Sequence, residues 1–338
     1  MATGKVARRA DASEISALLD SPEVAALIAE LEALRWTGRR GYGPRTLVGA
    51  CLIKSLYGFT TWTRVAALIA DHPGLQAAIG GCPSVFACYR FATKLREHAS
   101  VLADCLDRIA ASLQAELPDI GRDVAIDATN LEAWANGHRR LSKNGPERLR
   151  YSDPDASWGH RSAISTRGAG SFYGYKLNLA CCTRTGLPLA WRVETARRNE
   201  SLMLAPLLDA LHARGYRPET CAADKAYDSD RCHRECEERG VGPVIPMKGK
   251  ADQVIWPATD KPTRFNPRIQ RHTARFRDLY AGRGAIEREF GNLKHHYGLA
   301  PLRVRGLARA ALHADLVMLS RLSLALNRAR AATVPLAA

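Results

Sequence analysis

Three acidic residues and the bases around one of them carry the chemistry this sequence could perform. In YAGRGAIEREFGNLKHHYG, residues 280–298, Tyr280, Arg283, Glu287 and Lys294 stand at offsets 0, 3, 7 and 14. At 3.6 residues per turn, those offsets predict one stripe on a single helix. Such a stripe is ordinarily apolar and packs on a core. Here it bears a phenol, a guanidinium, a carboxylate and an ammonium. A carboxylate flanked by cations suits a metal ion with a phosphate lying across it. Upstream, DVAIDATN and TCAADKAYDS read as strand-like segments ending in Asp127 and Asp224. Sites in open α/β sheets form at the carboxyl ends of strands, and adjacent parallel strands would bring these two acids together. Two carboxylates at close range need a counter-charge, and hard oxygen donors select Mg²⁺ or Mn²⁺. Two ions roughly 3.5–4 Å apart could activate a nucleophile and stabilise a leaving 3′ oxygen. Glu287 would then complete the site from the last helix. Three separated carboxylates and a basic helix point to metal-dependent chemistry on nucleic-acid phosphates. The plainer alternatives are that Asp127 and Asp224 cap the elements that follow them, and that Arg283 and Glu287 form an i,i+4 pair.

Other residues have two readings each. Lys176 alternates with Tyr175 and Leu177 on a strand and faces either the site or solvent. Asn199, ahead of Glu200, is a natural helix cap. Asp228 reads either as an acid supporting Asp224 or as the lead-in to the next helix. Trp134 and His138 follow the first aspartate and could touch an unpaired base. Arg90 lies in SVFACYRFATKLR, which reads as a recognition helix for a major groove or as a support helix with a solvated basic face. The nine cysteines are scattered, so reduced thiols are expected. Cys232-His233-x-x-Cys236 matches no standard four-ligand zinc spacing.

The pattern Tyr280-x2-Arg283-x3-Glu287-x6-Lys294 resembles the signature of a large group of bacterial insertion-sequence transposases, the insertion-sequence-four-like or YREK group. IDATN resembles that family's first-aspartate strand, and FYGYKLNLACCTRTGLP followed by RRNES its second and third strands. ADKAYDSD resembles its second-aspartate motif. The five segments occur in the family's order across roughly residues 123–330. The resemblance implies a ribonuclease-H-like fold and a DDE triad of Asp127, Asp224 and Glu287, which would be both catalytic and metal-holding. It also implies DNA contacts from Arg283 and Lys294 near the transposon end; Tyr280, Lys176 and Arg90 are further candidates for DNA. The expected activity is hydrolysis at transposon ends followed by strand transfer. Its partners would be double-stranded DNA, both terminal inverted repeats and target, and a second copy of the chain in the synaptic complex. The rivals are a DNA-binding protein of transposase descent that no longer cuts, and a structure-specific nuclease on the same fold.

Composition agrees with a polyanionic partner. The 338 residues carry a net charge of +15 and a pI of about 9.7, and each phosphate neutralised by Lys or Arg releases counterions. MATGKVARRADASEIS has no apolar segment after its charges, so no secretory leader is expected. The longest apolar run, around LHADLVMLSRLSLALNRAR, is too polar to span a bilayer. A cytoplasmic, nucleoid-associated protein is expected.

The elements that must position these residues fall into two blocks. Residues 1–118 read as all-helical, with helices in 13–35, 44–70 and 83–115, and form the expected DNA-binding or dimerisation domain. LPDIGRD marks the boundary. Residues 119–330 form the expected catalytic domain: α/β, a ribonuclease-H-like mixed sheet flanked by helices in the order β, β, β, α, β, α, β, α. Within it, 136–172 reads as a long loop and 248–275 as a basic insertion.

Overall fold

The computed structural model describes residues 10–34, 41–138, 140–141, 144–147, 150–161, 168–248, 266 and 268–333. The chain divides into a helical unit, Met1–Ser112 with Asn292–Arg303 and Leu312–Ala338, and a sheet unit, Leu113–Gly291 with Val304–Ala311.

The helical unit begins with α1 (Ala12–Asp20), α2 (Pro22–Ala33), α3 (Pro44–Leu56), α4 (Trp62–Asp71), α5 (Pro73–Ile79), α6 (Val85–Glu97) and most of α7 (Ala99–Glu116). Local signals set the ends. Asp11 caps α1 by accepting from the Glu14 amide at 2.9 Å, and Pro22, Pro44 and Pro73 each open a helix. Ser21 stands at the N-cap of α2 without a side-chain cap bond, because its hydroxyl donates back to Leu18 O at 2.7 Å. α5 falls in a stretch, 71–82, that sequence periodicity leaves unassigned, because seven residues hold less than two full turns. Ile15, Leu18, Leu19, Leu27, Leu31, Leu52 and Ile53 build the core of this unit.

In the sheet unit, β1 (Asp123–Glu132), β2 (Ser157–Arg161), β3 (Gly170–Cys182), β4 (Pro188–Thr195), β5 (Thr220–Ala222) and β6 (Gly242–Val244) form one mixed sheet. Its order is β2–β3–β1–β5–β6, with β4 also on β3. β3 runs antiparallel to β1, β2 and β4, while β1–β5 and β5–β6 are parallel. β2 and β4 lie end to end on one edge of β3, since Ser157 pairs with Gly174 and Thr195 with Tyr175. α8 (Leu204–Ala213) packs on β4 and α9 (Asp230–Glu237) on β6. α10 (Ala274–Ala281) lies against β5 and β6, and α11 (Gly284–His295) follows it. Val124, Ile126, Tyr175, Leu177 and Leu179 are fully buried between these layers.

Two expectations are corrected. The loop predicted over 136–172 contains β2 and the first residues of β3. β2 escapes a reading by periodicity because neither face is buried; backbone pairing to β3 alone defines it. Residues 139, 142–143, 148–149 and 162–167 of that stretch lie outside the described residues, as do 249–265 and 267 of the basic insertion, whose end at Ala274 is already helix. The final helix α12 (Leu307–Thr333) divides between the two units. From Leu312 onward it belongs to the helical unit, where Arg330 pairs with Glu23 at 2.7 Å and Arg328 with Glu14 at 3.1 Å. Its buried Leu316, Val317, Leu319 and Leu322 supply the apolar stripe that holds it there. Among the described residues, no helix is long and apolar enough to cross a membrane.

Candidate active site

β1 and β5 pair only from Asp123–Thr220 to Ala125–Ala222. Asp127 and Asp224 each stand two residues beyond the last pair, at the same level along the two strands. Parallel pairing thus delivers two carboxylates to the place where neighbouring strands part. Asp127 does not end its strand, contrary to the sequence reading. β1 runs on to Glu132 against β3, with Asp127 opposite Leu179, and only its β5 side is released. The cause is the brevity of β5, which gives way after three residues to the 3-10 turn Lys225–Tyr227. Asp224 caps that turn, accepting from the Ala226 amide at 2.7 Å. The capping role and the place beside Asp127 therefore coexist.

Glu287 arrives from α11. The expected single helix carrying Tyr280, Arg283, Glu287 and Lys294 is broken: Tyr280 lies on α10, Arg283 in the joint, and Glu287 and Lys294 on α11. The two glycines of Ala281-Gly282-Arg283-Gly284 weaken the helix there. Gly282 also passes so close to the turn after β3 that a Cβ would meet Thr183 Cβ at 3.0 Å. The break aims Arg283 at two acids. Its guanidinium donates to Glu287 Oε1 at 2.6 Å and to Asp127 Oδ2 at 3.1 Å. The i,i+4 pair exists, and it is half of a bridge between a strand acid and a helix acid.

The electrostatics follow from this packing. The Asp127 side chain is only 15% exposed. Burial pushes its carboxyl up to about 6, against the pull of Arg283, with Asp224 and Glu200 adding to the rise. The Tyr280 phenol is raised by burial, and Asp224, Asp127 and Glu287 add to the rise. It stacks on Phe276, with ring centroids 6.1 Å apart.

Two groups that the sequence reading did not single out join this cluster. Tyr227 is fully buried, and among the described residues its hydroxyl has no hydrogen-bond partner. Burial, together with the charges of Asp127, Glu200 and Asp224, raises its pKa well above the usual phenol value. Leaving a buried donor unsatisfied costs about 1–3 kcal/mol, so the site tolerates a cost there. Glu200 is the other. Asn199 caps the turn behind it as expected, accepting from the Ser201 amide at 3.0 Å. The only advance signal for either was an acid or phenol beside a capping residue.

Other candidates fall elsewhere. Lys176 lies opposite Asn130, so alternation along β1 places it on the other face of the sheet from Asp127; its ammonium pairs with Glu200 at 3.3 Å. Lys294 lies two turns beyond Glu287 on α11 and, like the exposed Arg90 on α6, is part of the helical unit. Trp134 is reached by Arg305, whose Nε donates to its carbonyl at 2.8 Å, and His138 contacts Trp158, with ring centroids 5.7 Å apart. The climb of β1 from Asp127 to Glu132 alone separates them from the acids by about 16 Å. Asp228 closes the turn that Asp224 caps and stands immediately before Ser229, the cap of α9. It is buried, accepts from the Lys248 amide at 2.8 Å and faces His233 at 3.3 Å and Arg271 at 3.5 Å. Cys232 is buried and donates to Ser201 O at 3.7 Å. A cavity of 360 Å³ opens at the amino ends of β5 and β6, and Asp127, Asp224 and Glu287 do not line it.

Among the described residues, no three His, Cys, Asp or Glu side chains converge closely enough to hold a metal ion; Arg283 lies between two of the acids and neutralises them. The donor set is nonetheless all hard oxygen, which suits a divalent cation of the Mg²⁺ or Mn²⁺ type.

The sequence is similar to known proteins over part of its length. A Burkholderia cepacia protein described as "Putative transposase for insertion sequence element IS402" is 30% identical over 122 residues, which cover 32% of this chain and 57% of that relative. The chain thus spans little more than half of the relative's length. The family model for the transposase DDE domain matches residues 120–322, well over half of the 338. That span holds β1, β5 and α11 together with Asp127, Asp224 and Glu287, and by its extent the chain belongs to the transposase DDE-domain family.

Proposed function

We propose that this chain is a metal-dependent DNA transposase of the insertion-sequence-four-like group, with Asp127, Asp224 and Glu287 as its triad on a ribonuclease-H-like sheet. One observation carries the reading: Arg283 bridges Asp127 and Glu287 at the level where β1 and β5 part beside Asp224. The succession of antiparallel β4, β3 and β1 followed by parallel β5 and β6 supports the fold assignment.

In this reading the three carboxylates hold Mg²⁺ or Mn²⁺. When bound, a pair of such ions supplies positive charge to the attacking and leaving oxygens of a phosphodiester. The chain's own residues set the geometry. Asp127 and Asp224 are fixed by the sheet and by their bonds to the Ala128 and Ala226 amides, at 2.8 and 2.7 Å. Glu287, 59% exposed, can reach inward once Arg283 turns to a phosphate. An arginine fork suits that phosphate contact. Lys294, Tyr280 and Lys176 are further candidates for contacts to DNA, and Arg90 on α6 is the candidate for recognition of the terminal repeats. The products of the first step are a 5′ phosphate and a 3′ hydroxyl at the element's end. That hydroxyl then attacks a second phosphodiester, and synapsis of two ends calls for a homodimer.

The test is cleavage of a labelled duplex bearing the element's own end, with Mg²⁺ or Mn²⁺. Wild type is expected to nick at the end. Asp224→Ala is expected to lose nicking by several orders of magnitude while still binding the duplex. Tight binding without cleavage by wild type under either metal would instead establish a DNA-binding protein that does not cut.

A further inference from the structure

The helix α6 has two faces, and the outer one is not polar throughout. Ala87, Cys88, Phe91 and Leu95 are buried, on the side where α6 packs against α3 and α4. The opposite side carries Phe86, Tyr89, Arg90 and Thr93, all exposed. Their offsets of 0, 3, 4 and 7 put them on one stripe. Phe86 is 75% exposed and Tyr89 51%. A lone apolar residue in water is ordinary, but two aromatic rings one turn apart form a patch that marks a binding surface. The stripe is held firmly in place. Ser84 caps α6 by accepting from the Ala87 amide at 3.2 Å, and Thr46 of α3 donates to Gly80 O, in the preceding turn, at 3.2 Å.

Charge selects the occupant. Arg90 adjoins the two rings, Lys94 and Arg96 follow, and Glu97 is the one acid in the helix. A second copy of the chain would bring the same basic helix and the same net charge of +15, whereas a polyanion complements both. A DNA duplex also matches in shape. Its major groove is about 12 Å wide and admits one helix. From Phe86 to Thr93 the stripe rises about 10 Å, the height of about three base pairs. The residue types fit the groups on the groove floor: phenylalanine and the threonine methyl meet the thymine methyl, and an arginine fork meets O6 and N7 of guanine. Thr93 donates its hydroxyl to Tyr89 O at 3.2 Å, within its own helix, which leaves the methyl as its contact group.

We propose that the Phe86–Thr93 stripe of α6 enters the major groove of the terminal-repeat duplex, where Phe86 and Thr93 read thymine methyls and Arg90 reads a guanine edge. Resting on the transposase reading above, this assigns base chemistry to its end recognition. Phe86 and Thr93 then supply sequence information, which cationic contacts to phosphates do not carry.

The test is binding of the full chain, in chelator so that no strand is cut, read by fluorescence anisotropy. Three duplexes are compared: the element's own end, the same end with every thymine replaced by deoxyuridine, and a scrambled duplex of equal composition. Wild type is expected to bind the deoxyuridine end about three- to tenfold more weakly, because each replacement removes a methyl that binding buries. Phe86→Ala is expected to bind the thymine end more weakly by a similar factor and to respond less to methyl loss, the coupling that a double-mutant cycle reads. Arg90→Gln is expected to lose most of the preference for the end over the scrambled duplex. Phe86 is exposed, so its variant is expected to melt like wild type; Thr93→Ser, which removes a methyl and keeps the hydroxyl, repeats the cycle independently. If Phe86→Ala and Thr93→Ser respond to methyl loss as wild type does, or weaken end and scrambled duplexes equally, the proposal is overturned. Wild-type affinity of Phe86→Ala for every duplex, with a dimer lost in sedimentation, assigns the stripe to contact between copies and also overturns it. In these cases a wild-type preference for the end leaves the transposase reading standing. If wild type shows no preference for the end over the scrambled duplex, that reading fails together with the proposal.

Discussion

Arg283 is the residue on which the site's charge balance turns. It gives one nitrogen to Glu287 and another to Asp127, and it offsets part of the rise that burial imposes on the Asp127 carboxyl. Removing the cation must therefore raise that carboxyl further. In Arg283→Gln without metal, the Asp127 titration midpoint is expected to move above about 6, followed by the carboxyl carbon resonance. An unchanged midpoint would mean that the guanidinium does not face Asp127. At this scale the sequence was legible where residue type and spacing speak together. Asp127, Asp224, Arg283 and Glu287 stand out because acids ending apolar segments and a charged stripe are both unusual. Glu200 and Tyr227 did not stand out, since a glutamate after a capping Asn and a tyrosine after a capping Asp have sufficient local explanations.

Among the elements, the joint between α10 and α11 and the meeting of three strands at Gly174 do the positioning. The joint turns a stripe expected on one helix into a hinge of two helices with Arg283 at its centre. Gly174 is paired both to Glu132 of β1 and to Ser157 of β2. A Cβ there would run into the Leu131 carbonyl and the Ala133 amide, both backbone atoms that cannot turn aside. Gly174→Ala is expected to destabilise the sheet unit by about 1–3 kcal/mol, read as a lower melting temperature. Gly291→Ala, inside α11 with open space around the new methyl, is the opposite case. It is expected to gain about 0.5–1 kcal/mol. If the two variants melt alike, the close approach at Gly174 is not what fixes the strand. Most strands and helices were legible from apolar periodicity and caps. β2 was not, because its pairing is a backbone property and SWGHR has no apolar, buried face.

For the molecule as a whole, the helical unit has its own dependence on pH. His313 and Lys54 are both buried and meet at 3.3 Å, and His313 Nε2 lies 3.1 Å from Gly298 O. Burial first, then Lys54, drive the imidazole down to about 3 from an ordinary 6.5, so it is neutral in the folded state. The folded pKa is the depressed one. The associated stability is therefore complete above about 6.5 and is lost as pH falls toward about 3, where the unfolded chain binds the extra proton. Melting temperature by circular dichroism is expected to fall across that window, and to fall less in His313→Gln. Equal slopes for the two proteins would remove His313 as the cause. Net charge sets the partner class at this scale, because +15 on 338 residues favours a polyanion whatever the fold.

The sequence alone determined the chemistry available and the order in which it is met along the chain: two strand aspartates, a helix glutamate, and the basic residues around it. It also determined the all-helical character of the first block, since caps, prolines and apolar spacing act within a few residues. Only the tertiary structure decided which groups share a site. Whether Asp127 and Asp224 lie level depends on a parallel register between strands nearly a hundred residues apart, and whether α12 joins the first helices depends on the burial of Leu316, Val317, Leu319 and Leu322, with Arg328 and Arg330 paired to Glu14 and Glu23. Such pairings are set by packing and burial over long separations, and no local pattern encodes them.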